Sequence, residues 1–297
     1  MLPLAIDADF PGGNIVVEQV TETTARVHQD LRDTSSDWFY WAFRLRDAQG
    51  RDVRITFTGS NPIAGRGPAV SDDGGASWRW LGPESVDGQT ISYRVPDSAD
   101  VRLAMHIPYL ETDWHRFVGR LGGSTPWVAD TLCTSEHGRP VERLRLGRLD
   151  GSARYRLLFT ARHHCCEAMA SYVLEGMVSA MADSAWYAEN VEALVVPFVD
   201  KDGVEQGDQG KNRRPRDHNR DYDDRARYAS VKALMAQVPT WSEGGLSLAL
   251  DLHCPWIRGE WNEHPYFVGL PDPANWRRVE ALARCLASSD HGPLPYS

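Results

Sequence analysis

Short stretches rich in β-branched or aromatic residues dominate the first third of the chain, and several of them alternate between apolar and polar positions. They cover residues 14–20, 25–29, 38–46, 52–58, 77–81, 90–95 and 101–107. The segments between them are rich in Gly, Asp and Ser, which are typical turn residues. Many short strands at close spacing predict an antiparallel β-sandwich.

After about residue 120 the pattern changes, and apolar strands alternate with helices. The stretches with strand character are residues 154–160, 193–199 and 246–252, and those with helical character are residues 167–183, 224–236 and 276–288. This alternation predicts an α/β fold with a mixed, mostly parallel sheet and helices on both faces. The Gly- and Pro-containing segment 121–126 is predicted to connect two domains. We therefore predict a β-sandwich domain of residues 1–120 and an α/β domain of residues 121–297.

Composition narrows the class of protein. The 297-residue chain has a formal net charge of -9, which argues against nucleic acid as a partner because phosphate binding needs a basic surface. Its five cysteines are odd in number and irregularly spaced, unlike a disulfide framework. Residues 1–10 lack the pattern of a signal peptide, and there is no apolar run of about 18 residues that predicts a membrane span. We therefore expect a cytoplasmic protein with no membrane partner.

Polar residues follow three of the predicted strands, and ligands of such sheets bind beyond these carboxyl ends. His164 and Glu167 follow the first strand at a spacing that lets one turn present both side chains to one ion. His253 follows the third strand and can add a second imidazole. Two histidines and one carboxylate leave a fourth position for water, as is typical of catalytic zinc. The sequence therefore indicates a site for one zinc ion.

A dense polar loop, residues 207–222, precedes the third of these strands and contains four arginines. An arginine beside an asparagine, as at Asn219 and Arg220, suits the capture of a carboxylate by paired hydrogen bonds. Asp217 can accept a hydrogen bond from a metal-bound histidine and so fix the orientation of its ring. The loop is therefore predicted to line the metal site, although a solvated charged loop is the alternative.

Three motifs occur in the order found in the zinc carboxypeptidase family. They are Ala-Arg-His-His-Cys-Cys-Glu at 161–167, Asp-His-Asn-Arg at 217–220 and Asp-Leu-His at 251–253. The chain resembles most the cytosolic carboxypeptidase branch, in which a β-sandwich domain precedes the catalytic domain. Segments 38–43 and 106–109 are similar to strands of that sandwich and to its lead into the catalytic part. The resemblance covers most of the chain and implies the zinc carboxypeptidase fold.

The resemblance also implies a role for each site residue. The implied roles are zinc binding for His164, Glu167 and His253, binding of the substrate's terminal carboxylate for Asn219 and Arg220, oxyanion stabilisation for Arg213 or Arg214, and orientation of His164 for Asp217. The spacing leaves open which of the two arginines faces the oxyanion.

The chain departs from the family pattern at two places. Cys165 and Cys166 stand between the first histidine and the glutamate, where glycine and proline are frequent. The family's general-base glutamate lies on a strand well downstream of the third ligand, and the residues after His253 contain no such strand. We therefore expect a catalytic domain that is incomplete at its C-terminus and lacks its last strands.

The function implied is a zinc-dependent metallocarboxypeptidase that hydrolyses C-terminal peptide or isopeptide bonds, with a peptide or protein C-terminus as substrate. One alternative is a related zinc amidohydrolase of acyl-amino acids. The other is a catalytically inactive relative that binds zinc and peptides. The side-chain preference at the substrate's C-terminus and the oligomeric state are not encoded in a readable pattern.

Overall fold

The structure, a computed structural model, describes residues 3–243, 245–262 and 264–289. Its contacts divide the chain into a large unit, Met1–Cys254, and a small one, Pro255–Ser297. The large unit contains all of the strands in the described residues. The small unit contains the helix Pro273–Ser288, where the sequence predicts a helix over residues 276–288.

The first part of the large unit forms two five-stranded sheets. Their strands are β1 (Ala5–Asp7), β2 (Val16–Val20), β3 (Thr24–His28), β4 (Ala42–Arg46), β5 (Asp52–Phe57), β6 (Ala69–Ser71), β7 (Arg79–Trp80), β8 (Val86–Asp87), β9 (Thr90–Arg94) and β10 (Val101–Ala104). The orders are β1-β4-β10-β6-β7 and β2-β3-β5-β9-β8. All pairings are antiparallel except that between β3 and β5. Each of the seven predicted stretches contains one of these strands.

The predicted strand over residues 38–46 begins only at Ala42. The backbone before it is bound elsewhere, because the Tyr40 N–H donates to the side chain of Gln209 (2.9 Å) and the Tyr40 carbonyl accepts from the same amide (2.8 Å). Trp41, the residue before β4, lies against Phe57 of β5 with ring centroids 4.8 Å apart. In the segment that precedes β4, the Tyr40 backbone therefore binds the later part of the chain, while the Trp41 side chain packs against an N-terminal sheet.

The third sheet packs against helices and carries the candidate site. Its strands are β11 (Trp127–Thr134), β12 (Pro140–Gly147), β13 (Tyr155–Ala161), β14 (Val191–Val196) and β15 (Leu248–Leu252), in the order β11-β12-β14-β13-β15. β13 pairs in parallel with β14 and β15, whereas β12 is antiparallel to both β11 and β14. The sheet is therefore mixed, with two parallel and two antiparallel pairings, and the prediction of a mostly parallel sheet is wrong. The predicted strands did not include β11 and β12, which form the antiparallel pairings.

Six helices occur in the described residues. They are α1 (Glu111–Val118), α2 (Met169–Ala182), α3 (Ala185–Asn190), α4 (Lys201–Gln206), α5 (Ala229–Trp241) and α6 (Pro273–Ser288). None of the helices in the described part of the chain has the length and apolar character needed to cross a membrane. The predicted helix 224–236 corresponds to α5, which starts later because the Asp221 carboxylate accepts from the N–H groups of Arg227 and Tyr228 (2.7 and 2.9 Å) and holds this segment as a loop.

The alternation of side chains along β14 builds a core on each face of the third sheet. Val195 packs with Leu174 and Val178 of α2 in one cluster, and Val196 packs with Val231 and Leu234 of α5 in another. Every residue of β14 is buried. Full burial of a Val or Leu side chain contributes about 1.5–3 kcal/mol. The sheet is therefore covered on both faces, and the parallel strands β13, β14 and β15 all have their carboxyl ends on the same side of it.

Candidate metal centre

Three side chains converge where β13 and β15 end. His164 and Glu167 lie in the turn between β13 and α2, and His253 directly follows β15. The two strands are parallel neighbours, with Ala161 opposite Leu252, so the residues that follow them share one edge of the sheet.

The geometry of these three side chains suits a metal ion. His164 Nδ1 lies 3.0 Å from one carboxylate oxygen of Glu167, and His253 Nδ1 lies 2.8 Å from the other. One donor atom from each residue lies within 4.8 Å of the other two. Two imidazole nitrogens and a carboxylate are a donor set that zinc prefers, and three protein ligands leave a position open. The residues therefore fit a bound divalent cation.

Glu167 is held as a carboxylate. It is 1% exposed, and burial alone would raise its pKa, but hydrogen bonds from His164 and His253 lower that pKa well below its usual range. For His253, burial lowers the pKa, whereas the hydrogen bonds with Asp251 and Glu167 outweigh burial and raise it to about 10. A deprotonated carboxylate is the form that coordinates metal ions.

Asp217 orients the first histidine. Its carboxylate lies 3.3 Å from His164 Nε2, which leaves Nδ1 to face Glu167. The backbone N–H groups of Asn212 (2.9 Å) and Asn219 (2.8 Å) donate to the same carboxylate. Burial raises the pKa of Asp217, but the hydrogen bond from His164 and these backbone donors bring it to about 2. A carboxylate bound to the second nitrogen of a ligating histidine fixes the ring orientation.

Asp251 has the same relation to the second histidine, a role that the sequence analysis leaves unassigned. One of its carboxylate oxygens lies 2.7 Å from His253 Nε2. The other lies 2.7 Å from His163 Nδ1 and accepts from the Thr160 hydroxyl at 2.8 Å. The signal is the two-residue spacing from Asp251 to His253 at the end of β15, since alternate residues of a strand face the same side.

Asn219 lies beside the centre, and Arg220 lies beside Asn219. The Asn219 amide is 2.9 Å from His253 Nε2 and 3.2 Å from the Asp251 carboxylate. Arg220 is exposed, and its guanidinium contacts the Asn219 carbonyl at 3.3 Å. Both residues belong to a short 3-10 turn, His218–Arg220, in which the Asp217 side chain accepts from the Asn219 N–H. The turn therefore presents an amide and an exposed guanidinium next to the metal centre.

The two arginines predicted to face the oxyanion have different surroundings. The Arg213 guanidinium is 12% exposed and donates to Asp200 (2.7 Å) and Asp208 (2.9 Å). This arrangement favours a structural role for Arg213 in place of the predicted catalytic one, because its charge is already neutralised by buried carboxylates. Arg214 is exposed, and its backbone N–H donates to the Asp33 carbonyl (2.7 Å). Its catalytic role stays a prediction.

A cation that the sequence pattern did not indicate, Lys211, lies beside one of the three converging side chains. Lys211 Nζ is 3.6 Å from a carboxylate oxygen of Glu167 and 4.5 Å from the ring centroid of Trp38. The available signal was compositional, because the chain has only three lysines, at positions 201, 211 and 232, in a background of arginine. The loop thus supplies a positive charge to the centre from an unpredicted position.

Cys165 and Cys166 are buried free thiols within the turn that carries the ligands. Burial raises the pKa of both well above the usual value, which keeps them as neutral thiols. Cys165 Sγ donates to the Asp208 carbonyl at 3.0 Å. Both residues therefore pack as small apolar side chains.

Two other groups of side chains in the described residues have metal-like spacing. One, His163 with Asp251 and His253, shares the hydrogen-bonded network already described. The other, Glu111 with His115 and Glu142, surrounds the buried ammonium of Lys201, which pairs with both glutamates. A cation already fills the second group, so the centre at His164, Glu167 and His253 is the best candidate.

Comparison with known proteins supports this fold. No family model matches the chain. An uncharacterized protein from Zymomonas mobilis is 24% identical over 267 residues, which is 85% of this chain and 68% of that protein. A metallo-carboxypeptidase from Burkholderia cenocepacia is 23% identical with a TM-score of 0.75, over 97% of this chain and 80% of that one. A metallo-carboxypeptidase from Pseudomonas aeruginosa, solved in complex with (2-guanidinoethylmercapto)succinic acid, is 23% identical with a TM-score of 0.74, over 99% of this chain and 82% of that one.

These likenesses span nearly the whole chain, including the two N-terminal sheets. At this level of identity they establish architecture rather than activity. The chain has the mixed α/β fold of the metallo-carboxypeptidases.

Proposed function

We propose that this chain is a zinc-dependent metallocarboxypeptidase of the cytosolic carboxypeptidase branch, which hydrolyses C-terminal peptide or isopeptide bonds. The observation that carries the proposal is the convergence of His164 Nδ1 and His253 Nδ1 on the two oxygens of Glu167, with Asn219 beside them. The likeness in fold to metallo-carboxypeptidases supports it. In this proposal the two N-terminal sheets form the β-sandwich domain, residues 1–120, and the five free thiols accord with a cytoplasmic location.

The proposed division of labour follows from the chemistry of each group. Zinc held by His164, Glu167 and His253 would act as a Lewis acid toward the scissile carbonyl and would lower the pKa of a water molecule. Asp217 and Asp251 keep the two imidazole rings in the orientation in which Nδ1 faces Glu167 and would be free to hold the metal. These two carboxylates thus position the ligands without touching the substrate.

Asn219 and Arg220 are proposed to bind the substrate's terminal carboxylate. A guanidinium and a neighbouring amide can donate several hydrogen bonds to one carboxylate, and charge-assisted hydrogen bonds are about twice as strong as neutral ones. Arg220 is exposed, so its guanidinium is available to a ligand that approaches from solvent. A site built in this way selects peptides with a free C-terminus over peptides whose terminus is amidated.

The test is hydrolysis by the zinc-loaded protein of paired peptides that differ only in a free or amidated C-terminus. We expect cleavage of the free peptide alone, and Arg220→Ala should raise KM for that peptide. Arg225→Ala is the matched control, because Arg225 is also exposed and lies in the same loop region. Equal hydrolysis of the free peptide by wild type and Arg220→Ala would contradict the role of Arg220.

The same assay, extended to acyl-amino acids as substrates and to measurements of zinc and peptide binding, separates the alternative functions. Turnover of acyl-amino acids without turnover of peptides would identify a zinc amidohydrolase. Stoichiometric zinc and peptide binding without turnover of either class would identify an inactive binding relative. Each alternative uses the same metal centre, so metal content alone does not distinguish them.

A further inference from the structure

The loop at 207–222 places a second cation, Lys211, at the metal centre in addition to Arg220. Lys211 Nζ lies 3.6 Å from Glu167 Oε1, and 21% of its side chain is exposed. Of the neighbouring arginines, Arg213 is bound by buried carboxylates and Arg216 pairs with Asp223. These two guanidinium groups are held by carboxylates away from the three proposed ligands, and Arg220 is assigned to the substrate's terminal carboxylate, whereas the Lys211 ammonium contacts a proposed metal ligand directly.

The backbone on both sides of Lys211 is fixed by residues of the N-terminal part. The Asp33 carboxylate accepts from the N–H groups of Gln209 (3.0 Å) and Gly210 (2.8 Å). The Thr34 hydroxyl donates to the Lys211 carbonyl at 2.8 Å. These contacts leave the lysine backbone little freedom, so the position of its ammonium is determined by the side chain alone.

The approach of the loop to the metal-binding turn is close. Gly210 has a φ of +74°, and a Cβ at this position would lie 2.5 Å from the Cys165 nitrogen and 3.1 Å from the His164 Cα. Only glycine fits there, because it has no side chain and tolerates a positive φ. This contact brings the next residue, Lys211, within reach of Glu167.

Trp38 also contacts the Lys211 ammonium. Its ring centroid lies 4.5 Å from Lys211 Nζ, within the range of a cation–π interaction. The Lys211 ammonium therefore contacts both an aromatic ring and the Glu167 carboxylate. Its four-carbon side chain allows the ammonium to move between partners at the centre.

From this geometry we propose that Lys211 is the group that stabilises the oxyanion of the scissile carbonyl, the role that the sequence analysis gave to Arg213 or Arg214. The inference rests on the proposed function. In the reaction, water adds to the carbonyl carbon, the C–N bond breaks, and the proton lost by the water leaves with the amine. Negative charge builds on the carbonyl oxygen as the C–O bond forms. The Lys211 ammonium donates a hydrogen bond to that oxygen and neither gains nor loses a proton.

The test compares Lys211→Met with wild type and with Lys232→Met, which changes an exposed lysine on α5. We expect Lys211→Met to lower kcat/KM on a free-terminus peptide about 100-fold, as for loss of one oxyanion donor, mainly through kcat. Lys211→Arg, which retains a cation, should recover part of the loss. Zinc stoichiometry should stay at the wild-type value in all three variants, because the ligands are unchanged.

A binding measurement that needs no turnover accompanies the kinetics. The probe is a peptide analogue in which a phosphonate replaces the scissile amide and so mimics the tetrahedral intermediate. Its affinity for the zinc-loaded protein should fall in Lys211→Met by a factor similar to that in kcat/KM. The affinity for the product amino acid, which lacks the tetrahedral group, should not change.

The outcomes separate this inference from the proposed function. If wild type hydrolyses peptides and Lys211→Met does so equally well, Lys211 has no role at the oxyanion while the peptidase function stands. If wild type hydrolyses nothing but binds the phosphonate in a manner that requires Lys211, the site is supported and the activity is wrong. Equal phosphonate affinity in wild type and Lys211→Met overturns the inference in either case.

Discussion

Replacement of Arg213 by methionine separates a structural from a catalytic interpretation of the polar loop. The Arg213 guanidinium pairs with Asp200 at 2.7 Å and with Asp208 at 2.9 Å. The Asp200 side chain is 1% exposed, so burial raises its pKa, while His218 and Arg213 outweigh burial and lower it. Methionine has a similar length but no charge, so Arg213→Met removes the cation and leaves this carboxylate in the interior.

The size of the effect follows from the burial of the partners. Removal of one member of a buried ion pair costs about 3–5 kcal/mol, because the remaining charge stays desolvated without compensation. Asp208 keeps a second cation, since Arg32 lies 2.7 Å from it. We therefore expect a loss of about 3 kcal/mol in the free energy of unfolding, at the lower end of that range.

The assay is urea unfolding of the metal-free protein, followed by tryptophan fluorescence. Metal must be removed because a ligand that binds only the folded state adds to the measured stability. Arg94→Met is the control. Arg94 pairs with Asp52 at 2.7 Å, and both side chains are mostly exposed, so water screens the pair and the loss should be much smaller. If Arg213→Met unfolds like wild type yet has lost peptidase activity, Arg213 acts at the oxyanion and the reasoning is refuted.

Three further predictions address the metal centre and its loop. Asp217→Asn should weaken zinc affinity about 10- to 100-fold, measured by competition with a chromophoric chelator, and unchanged affinity would rule out its orienting role. His253→Ala should abolish stoichiometric zinc retention after dialysis, and full retention would exclude His253 as a ligand. Gly210→Ala should lower the free energy of unfolding by more than about 1 kcal/mol, because the new Cβ meets Cys165 at 2.5 Å and φ is +74°. Gly138→Ala, at a φ of +79° with open space around it, should cost less, and equal losses would show that the close contact is unimportant.

Much of the fold could be predicted because local patterns carry it. Each of the seven N-terminal stretches contains a strand, and α2 and α6 lie within two or three residues of their predicted bounds. The hairpin of β11 and β12 was missed. Most residues of β11 are exposed, and β12 carries Glu142, Arg143 and Arg145 among its apolar residues. Neither strand therefore has the continuous apolar run that marked β14.

Helix faces were harder to predict than helix positions. The apolar content of α2 predicts its position, but Val173 is 55% exposed whereas Leu174 and Val178 are buried. Apolar residues occur around most of this helix, so periodicity alone does not select the face that meets the sheet. The packing of Leu174 and Val178 against β13 and β14 decides it.

Some features of the candidate site could be predicted from local sequence, and others could not. The spacing from His164 to Glu167 and the position of His253 after a parallel strand are local features, and the structure brings these residues together. The choice among the loop cations is not local. It depends on Asp33 and Asp200, which are distant in sequence and hold the loop and Arg213 in place. No pattern within residues 207–222 contains that information.

The contacts of Asp33, Thr34 and Trp38 with the loop at 209–211 have an evolutionary consequence. The candidate metal-binding turn and its flanking cation are assembled by segments encoded about 175 codons apart. A chimera that joins the first 120 residues of one relative to the remainder of another would disrupt these contacts unless both segments came from the same relative. Substitutions at the two segments should therefore be inherited as linked pairs, even though the predicted domain boundary at residue 120 lies between them in the sequence.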